Sequence, residues 1–469
     1  MTKKIMIISI ACVSLLLSSC KVHDKPVEIN LDVPENAGAA GDGQSANIPA
    51  QWWQAFGDEQ LNRLIESSLE GNLTLNQMWQ RVEQARAAAK IAGANLYPSV
   101  DLGADAARIR TETDDATNYS SLYSTGLVVN YEFDIWGRVA ANAAAGVYEL
   151  AASEQDMNAA KISIASQVAN TWFAVVERRG QIKLLDEQIR INKDSLGLIE
   201  LQFRRGQAET TDVLQQRQLL ETRVGAKRLV EGELEVLENQ LAVLTGKSPG
   251  MFESPSSGDL PVIHDTQSAG LTGELINRRP DIQAAFLRVQ AADRKTAAFM
   301  AERLPKISLG ASLATTDDQI KGLFDNWQSA MTGEMLMPVF DAGRRKAQVE
   351  RQKAVTQEAV YGYTDTVIKA IREVRDAMAL EMKQKQYIES LEKQIELSKK
   401  SVIQIKENYI QGAMDYLRFL SAQLTDQNLE REYLTAKRTL VAYRIDLYKS
   451  LAGDAGGQLS SGSEQLSVN

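Results

Sequence analysis

Tyr131-Glu132-Phe133-Asp134-Ile135-Trp136-Gly137-Arg138 recurs in shortened form as Pro338-Val339-Phe340-Asp341-Ala342-Gly343-Arg344. In both places a run of alternating apolar and polar residues stops, and a very long polar run rich in alanine and glutamine begins. The two Phe-Asp pairs, at 133–134 and 340–341, are 207 residues apart, and other landmarks keep an interval of 206 or 207. Self-similarity at a fixed period indicates repeated structure. The sequence therefore predicts a tandem duplication, with repeats at 51–246 and 271–453.

Each junction has the residue types of an aromatic anchor at a membrane interface followed by a helix cap. Phe133 and Phe340 would be the anchors, and Asp134 and Asp341 the caps. A glycine two or three residues later would allow a tight bend into the helix. These residues are expected to build the structure and to select no substrate.

Two runs with a period of two precede each junction, and they predict strands at about 99–109, 122–134, 306–316 and 327–341. In the first pair one face is apolar with aromatic ends and the other is polar, which is the pattern of membrane β-strands. A hairpin of a soluble sandwich would alternate in the same way. For the last run, alignment on Phe340 places Glu334 on the apolar face, whereas hydrophobicity selects Trp327, Met331, Met335 and Met337 for that face. A bulge or a shifted register would resolve this conflict.

Helices of unusual length follow the strands. The runs 137–205 and 343–411 contain 69 residues each and no proline, so each helix would reach roughly 100 Å if unbroken. Each run turns at a glycine and returns as a predicted helix, at 207–246 and at 413–452, with leucines at coiled-coil-like spacing in the first return. A further helix is predicted at 271–304, after a linker at 247–270 that is rich in proline, serine and glycine.

The first residues have the features of an export signal, namely two lysines, an apolar run at 5–17 and then Leu17-Ser18-Ser19-Cys20. This motif resembles a lipobox, which implies removal of residues 1–19 and attachment of lipid to the sulfur and amine of Cys20. Lys21, rather than aspartate, follows the cysteine and favours the outer membrane. The alternative is an ordinary signal peptide with an incidental cysteine. Residues 20–50 are predicted to be an extended tether, and residues 454–469 a C-terminal tail.

Composition excludes several classes of function. The net charge of −9 argues against a nucleic-acid partner. The chain has two cysteines and two histidines, and their spacing suggests no metal site. There is no nucleophile with a nearby base and no phosphate-binding glycine loop, so the sequence predicts neither a cofactor nor an enzyme. After the signal no run of 18 residues is continuously apolar, so any membrane span must be made of strands.

The predicted strands imply assembly of several copies. Open sheet edges in a bilayer leave backbone groups without partners, at several kcal/mol each, so membrane strands must close into a barrel. Four strands per chain are fewer than the about eight of the smallest barrels. Several copies must therefore pool their strands, and the long helices would extend the barrel as a hollow coiled-coil conduit.

The chain resembles the outer-membrane efflux factors, the TolC/NodT/OprM-like lipoproteins, from about Trp52 to Gly453. The shared motifs are the lipobox, the Trp-Trp start, Arg-Pro-Asp-Ile at 279–282, both Phe-Asp-x(1–2)-Gly-Arg junctions, Tyr409-x-x-Gly412, and Tyr-Leu-x-x-Leu-x-Ala-Gln at 416–423. The resemblance implies a mainly α fold with membrane β: a homotrimer with a 12-stranded barrel in the outer-membrane lipid and a long helical tunnel in the periplasm. It also implies a periplasmic adaptor and an inner-membrane pump of the RND type as partners.

This resemblance favours a passive exit duct for drugs or other small molecules. Two alternatives remain open at the level of the sequence. One is a duct for type I protein secretion, and the other is a periplasmic coiled-coil scaffold without a pore.

The resemblance also points to the turns at Arg205-Gly206 and Gln411-Gly412 as the periplasmic tip, where the conduit narrows and the adaptor docks. Family members commonly carry Leu-x-Leu-Leu-Asp-Ala-Gln after the second turn, whereas this chain has Leu-Arg-Phe-Leu-Ser-Ala-Gln at 417–423. Leu417 is therefore expected to form a hydrophobic constriction, and Ser421 replaces the acid of the family ring. A position in a coiled-coil core is the alternative for Leu417.

Asp212 and Tyr409 match a tip acid and a tip tyrosine that help to hold the closed state of family members. The basic partner expected two residues after Gly412 is Met414 here, so Arg418 or Arg205 would have to take its place. For Asp212 the alternative is a helix cap or a solvated surface charge.

Overall fold

The computed structural model describes residues 51–114, 116–250, 259–263 and 278–451. The predicted signal, the tether with Cys20, most of the linker and the C-terminal tail lie outside these residues. The chain divides into two compact units. The first contains Gln80–Asp156 and Asp281–Thr366, and the second contains the described residues of Val33–Trp79, Met157–Pro280 and Val367–Asn469.

The first unit holds a four-stranded antiparallel sheet with the order β1-β2-β3-β4. Its strands are β1 at Ser99–Thr113, β2 at Ala116–Phe133, β3 at Lys306–Asp317 and β4 at Trp327–Leu336. Each repeat thus contributes one hairpin, and the hairpins meet at β2 and β3. Among the described residues, β1 and β4 each pair on one side only. The first hairpin is longer than predicted because its pairing continues to Thr113 and Ala116.

Register resolves the conflict at β4. In the first hairpin Ser99 pairs with Asn130. In the second hairpin Lys306, which lies 207 residues after Ser99, pairs with Leu336, and Leu336 lies only 206 residues after Asn130. One extra residue therefore lies between β4 and Phe340, and alignment on Phe340 gives the wrong face. Glu334 pairs with Ser308, which also pairs with Glu132, so both glutamates lie on the polar face.

The apolar face carries Trp327, Met331 and Met335, as their hydrophobicity predicted. Met337 does not belong to it, because β4 ends at Leu336 and not at the predicted residue 341. Proline has no backbone N–H to donate to a sheet ladder. Pro338 therefore explains the early end of β4. The equivalent position in the first repeat is Tyr131, so β2 is not limited in this way.

The first junction is held by specific side-chain contacts. The Asp134 carboxylate accepts hydrogen bonds from the backbone N–H groups of Val139 (3.0 Å) and Ala140 (2.7 Å), which makes it the predicted helix cap. The indole of Trp136 donates to the carbonyl oxygen of Pro305 at 2.8 Å. Arg138 donates twice to Glu132, at 2.9 and 2.7 Å. The glycine at 137 has a φ of 72°, so the bend there depends on a left-handed residue.

Seven α-helices occur among the described residues. α1 is Glu59–Gly71, and the equivalent segment of the second repeat lies almost wholly outside the described residues. The others form equivalent pairs: α2 (Leu73–Ala94) with α5 (Pro280–Ala301), α3 (Arg138–Arg204) with α6 (Arg344–Ile410), and α4 (Thr210–Leu244) with α7 (Tyr416–Leu451). No described helix contains an apolar stretch long enough to cross a bilayer.

The helix ends differ from the predicted ones for local reasons. The helix predicted at 271–304 begins at Pro280, which is preorganised for the first helical position and needs no N–H partner. It ends at Ala301, shortly before Pro305, and residues 271–277 lie outside the described part. The return helices begin three residues later than predicted, at Thr210 and Tyr416, because capped turns follow the glycines.

The second unit has a core of aromatic and aliphatic side chains around Trp52, Trp53 and Trp172. Asp58 lies just before the first residue of α1 and connects this helix to the core. Its Oδ1 accepts from the backbone N–H groups of Gln60 (2.8 Å) and Leu61 (3.0 Å), so it caps the helix, and its Oδ2 accepts from the indole of Trp172 at 2.7 Å. One carboxylate thus caps a helix and satisfies a buried indole.

Candidate functional site

The two glycine turns of the second unit have the same geometry. Gly206 and Gly412 have φ values of 72° and 75°, in the left-handed region. The backbone N–H of Gly206 donates to the carbonyl of Phe203, and that of the next residue to the carbonyl of Gln202; the turn at Gly412 repeats both bonds. This is a Schellman motif, which satisfies the free carbonyls at the end of a helix. A side chain at either glycine would strain a backbone that defines the turn.

Asp212 acts as a cap within the first turn. Its carboxylate accepts from the backbone N–H of Glu209 at 3.0 Å, and the Glu209 side chain accepts in return from the backbone of Asp212, so the two form a capping box for α4. Asp415 takes a similar place in the second turn and accepts from the backbone N–H of Arg418 at 2.9 Å. The cap that sequence offered as one reading of Asp212 is therefore present, and its role in a gate stays a prediction.

Aromatic side chains connect the two helical hairpins next to the turns. The rings of Tyr409 and Phe419 are stacked, with centroids 5.8 Å apart and planes 3° apart, and Tyr416 lies 5.7 Å from Tyr409. These rings pack with buried aliphatic side chains that include Ile199 and Val213. The hydrophobic cluster thus joins α3 and α4 of the first repeat to α6 and α7 of the second.

Tyr409 also makes a polar contact between the two helical hairpins. Its hydroxyl donates to Oε1 of Gln202 at 2.6 Å. Burial, with a further contribution from the charge of Asp212, raises the pKa of Tyr409 above its ordinary value. The hydroxyl therefore stays protonated and able to donate across the physiological range of pH.

A buried chain of hydrogen bonds extends from the tip into the helical bundle. The Tyr416 hydroxyl donates to Oε1 of Gln216 at 2.5 Å, and Nε2 of Gln216 donates to the main-chain oxygen (2.9 Å) and to Oδ1 (3.1 Å) of Asn192. The amide of Asn192 donates to Oε1 of Gln427 at 3.4 Å, and this oxygen also accepts from Nε of Arg223 at 2.9 Å. Gln216 and Asn192 are 0% exposed. We call this chain of five residues the tip network.

The tip network links α3 and α4 to α7, and sequence reasoning did not find it. Glutamine and asparagine within a coiled coil are ordinarily assigned to its solvated side. Hydrogen bonds between buried polar groups rigidify a structure, because an atom that loses its only partner stays buried and unpaired. Among the described residues, Nε2 of Gln427 is buried without such a partner. Burial also raises the pKa of Tyr416. Its hydroxyl therefore stays protonated at neutral pH and can donate its hydrogen bond to Gln216.

Leu417 is 62% exposed in the single chain, whereas its neighbours Tyr416, Phe419 and Leu420 are buried in the cluster. It is therefore not a core position of the chain's own helix packing. Leu417 lines a cleft of about 710 Å³ between the hairpins, together with both turns and with Asp212 and Tyr409. The structure thus gathers most of the predicted tip residues around one cleft, with Leu417 free to contact another molecule.

The remaining predicted tip residues lie on the surface. Ser421 is exposed. The Arg418 side chain is 70% exposed, with Nε 3.9 Å from Asp415. Arg205 is also exposed, and within the described residues neither arginine forms an ion pair with Asp212. A substitute for the missing basic partner therefore does not operate inside one chain.

No group of three or more histidine, cysteine, aspartate or glutamate side chains among the described residues has the arrangement of a metal site. The cleft at the turns is lined by apolar, amide, phenol and carboxylate side chains.

Comparison with known proteins decides the family. The sequence profile described as "Outer membrane efflux protein" matches residues 64–247 and again residues 271–453. The chain belongs to the outer membrane efflux protein family. The two matches confirm the tandem duplication, and the family confirms that the chain is an outer-membrane efflux channel rather than an enzyme.

Relatives are similar over nearly their whole length. The outer membrane protein OprJ of Pseudomonas aeruginosa is 28% identical over 461 residues, which cover 95% of each chain. The pyoverdine export outer membrane protein OpmQ of Pseudomonas putida is 26% identical over 94% of this chain and 96% of its own. Among solved structures, the outer-membrane channel OprN matches with a TM-score of 0.87 and 25% identity, covering 93% of this chain and all of the other.

Proposed function

We propose that three copies of this chain form the outer-membrane exit duct of a tripartite efflux system. In it, a periplasmic adaptor and an inner-membrane pump of the RND type deliver drugs or other small molecules. The observation that carries the proposal is the four-stranded sheet with an apolar face and with β1 and β4 each paired on one side only among the described residues. In a membrane such edges require partners, and three copies would supply twelve strands, above the minimum of about eight.

The helices offer a second surface for other copies. Leu229, Val236 and Val243 of α4 are spaced by seven residues and are 72%, 65% and 60% exposed in the single chain. A heptad stripe of exposed apolar side chains is the seam of a coiled coil. We therefore expect this stripe to be covered by the neighbouring copy.

Cys20 is expected to carry the lipid that fixes the N-terminus to the outer membrane after removal of residues 1–19. The motif Leu17-Ser18-Ser19-Cys20 and the following Lys21 support this assignment. Labelling of cells with a palmitate analogue would mark the wild-type chain and not Cys20→Ser. Equal labelling of both proteins would contradict the assignment.

At the tip, Leu417 is proposed to narrow the axis of the duct, while the turns at Arg205-Gly206 and Gln411-Gly412 receive the adaptor. Leu417 is exposed on the cleft that the glycine turns also line. This supports both the constriction and the docking of the adaptor, because an adaptor bound at the turns would contact the same surface as Leu417. Opening would exchange tip contacts for adaptor contacts and shift a two-state equilibrium by their difference in free energy.

The decisive experiment measures assembly and conduction on one preparation. Native mass spectrometry of the detergent-solubilised protein is expected to show a trimer, and planar bilayers are expected to show discrete conductance steps. Crosslinking in cells followed by mass spectrometry is expected to recover an adaptor and a pump together. A stable monomer at every concentration, with no conductance, would overturn the proposal.

A further inference from the structure

The apolar face of β1 ends in two arginines. Val100, Leu102, Ala104 and Ala106 pair with Val129, Leu127, Thr125 and Tyr123 of β2. Side chains on one face recur every second residue, so Arg108 and Arg110 continue this face and pair with Ser121 and Tyr119. The face thus changes from aliphatic to cationic within one strand, at the end of the sheet that lies away from the junctions with α3 and α6.

The depth of these arginines follows from the aromatic residues of β2. Phe133 and Tyr123 lie on the same face, ten residues apart, which is roughly 33 Å along a strand or about 25 Å along the membrane normal at the usual tilt. That distance equals the height of the apolar band between the two aromatic girdles of a membrane barrel. Arg108 then lies about 5 Å beyond the outer girdle and Arg110 about 10 Å beyond it, in the layer of lipid headgroups.

Both guanidinium groups have free donors at this level. Arg108 lies over the ring of Tyr119, with Cζ 5.3 Å from the centroid, and forms no ion pair with a carboxylate of the described residues. Arg110 donates one hydrogen bond to Glu112 at 2.9 Å, and its side chain is 55% exposed. A guanidinium carries five N–H donors, so most of them remain available to a ligand.

We propose that Arg108 and Arg110 form a binding site for the phosphate groups of lipids in the outer leaflet. The planar guanidinium matches a phosphate through two parallel hydrogen bonds, and Tyr119 orients the first of the two arginines. The site rests on the proposed trimeric duct, because only a closed barrel places this face against lipid. It adds to that function a preference for phosphate-bearing lipid around the outer end of the barrel.

The test compares the full-length trimer with a variant that lacks both charges. Trimers in detergent are mixed with lipid A carrying two phosphates, or with the same lipid after removal of its phosphates, and bound lipid is counted by native mass spectrometry. Wild-type protein is expected to bind the phosphorylated lipid about tenfold or more tightly than Arg108→Gln/Arg110→Gln, because two charge-assisted contacts are lost. Lys321→Gln, which removes a cation from the loop between β3 and β4, is the matched control and is expected to bind like wild type.

Three outcomes would overturn the site: equal binding of both lipids by wild type, equal loss in the Lys321→Gln control, or no loss in the double variant. Competition by an excess of inorganic phosphate would instead indicate a site for the free ion, and would also overturn the lipid assignment. The single variants Arg108→Gln and Arg110→Gln, each expected to weaken binding, serve if the double variant does not assemble. Trimer mass and conductance are measured on the same samples, so that failure of wild type to assemble is assigned to the proposed duct and not to the lipid site.

Discussion

Replacement of Gln216 by methionine gives the sharpest test of the tip network, because it removes the amide while keeping its length. Two buried atoms would lose their partners, the Tyr416 hydroxyl and Oδ1 of Asn192. Leaving a buried polar group unpaired costs about 1–3 kcal/mol. Gln216→Met is therefore expected to destabilise the local packing of the tip by about 2–6 kcal/mol.

Asn192→Leu is the matched control, since Asn192 is just as deeply buried and the change is similar in volume. In this variant Nε2 of Gln216 keeps the main-chain oxygen of residue 192 at 2.9 Å, and Oε1 of Gln427 keeps Nε of Arg223 at 2.9 Å. Nε2 of Gln427, which has no hydrogen-bond partner among the described residues, is unaffected by the change, and no other atom of the network is left without a partner. The expected cost is about 1 kcal/mol, the net value of an ordinary hydrogen bond.

Hydrogen exchange of the assembled trimer, followed by mass spectrometry, measures local opening of the tip. Peptides covering 196–216 and 405–420 are expected to lose protection about 30-fold or more in Gln216→Met and about fivefold in Asn192→Leu. Adding Tyr416→Phe to Gln216→Met removes one unpaired hydroxyl and is expected to restore about 1–3 kcal/mol. Equal effects of Gln216→Met and Asn192→Leu, or no recovery in the double variant, would refute the reasoning.

Three further predictions concern other residues. Leu417→Ser is expected to raise single-channel conductance, because it removes apolar side chains from the proposed constriction; unchanged conductance would count against that role. Burial opposes ionisation of Glu381, but its hydrogen bonds with Arg444 and Lys385 outweigh burial and hold the pKa of Glu381 below its ordinary value of 4.5. Its ionised form therefore stabilises the fold above that pH and loses this effect as the pH falls. Glu381→Gln is expected to cost about 3–5 kcal/mol at pH 7, and a thermal-unfolding difference from wild type that does not shrink in acid would contradict the assignment. Burial, with the nearby charge of Arg431, lowers the pKa of Arg223, and its hydrogen bonds go to neutral amides, so Arg223→Met is expected to leave thermal stability equal or higher; a large loss would show that the charge is needed.

Much of the fold follows from local patterns. Alternation of apolar and polar residues depends only on which side of a strand each residue occupies, so both strand pairs were predicted, and the first pair was predicted with its apolar face. The glycines at 206 and 412 mark helix ends because a left-handed residue is needed there. The duplication is visible because both repeats use the same local signals.

The candidate site was predicted only in part. Its glycine turns were predicted from the sequence pattern, and their role as the tip, like that of Tyr409, came from the resemblance. Gln202, Gln216 and Asn192 were missed. The neighbouring residues in the sequence do not show whether an amide side chain in a helix is buried with a hydrogen-bond partner or exposed to solvent. Its hydrogen-bond partners lie on other helices, up to 235 residues away between Asn192 and Gln427.

The repeat, the amphipathic strands, the long helices and the family could all be predicted from the sequence, because each depends on residues that are close together in the chain. The register of β4, the place of Glu334 on the polar face and the tip network became visible in the folded chain and not before. Register and buried hydrogen bonds depend on which distant segments pack together. One extra residue before Phe340 was enough to reverse the face that alignment assigned to a whole strand.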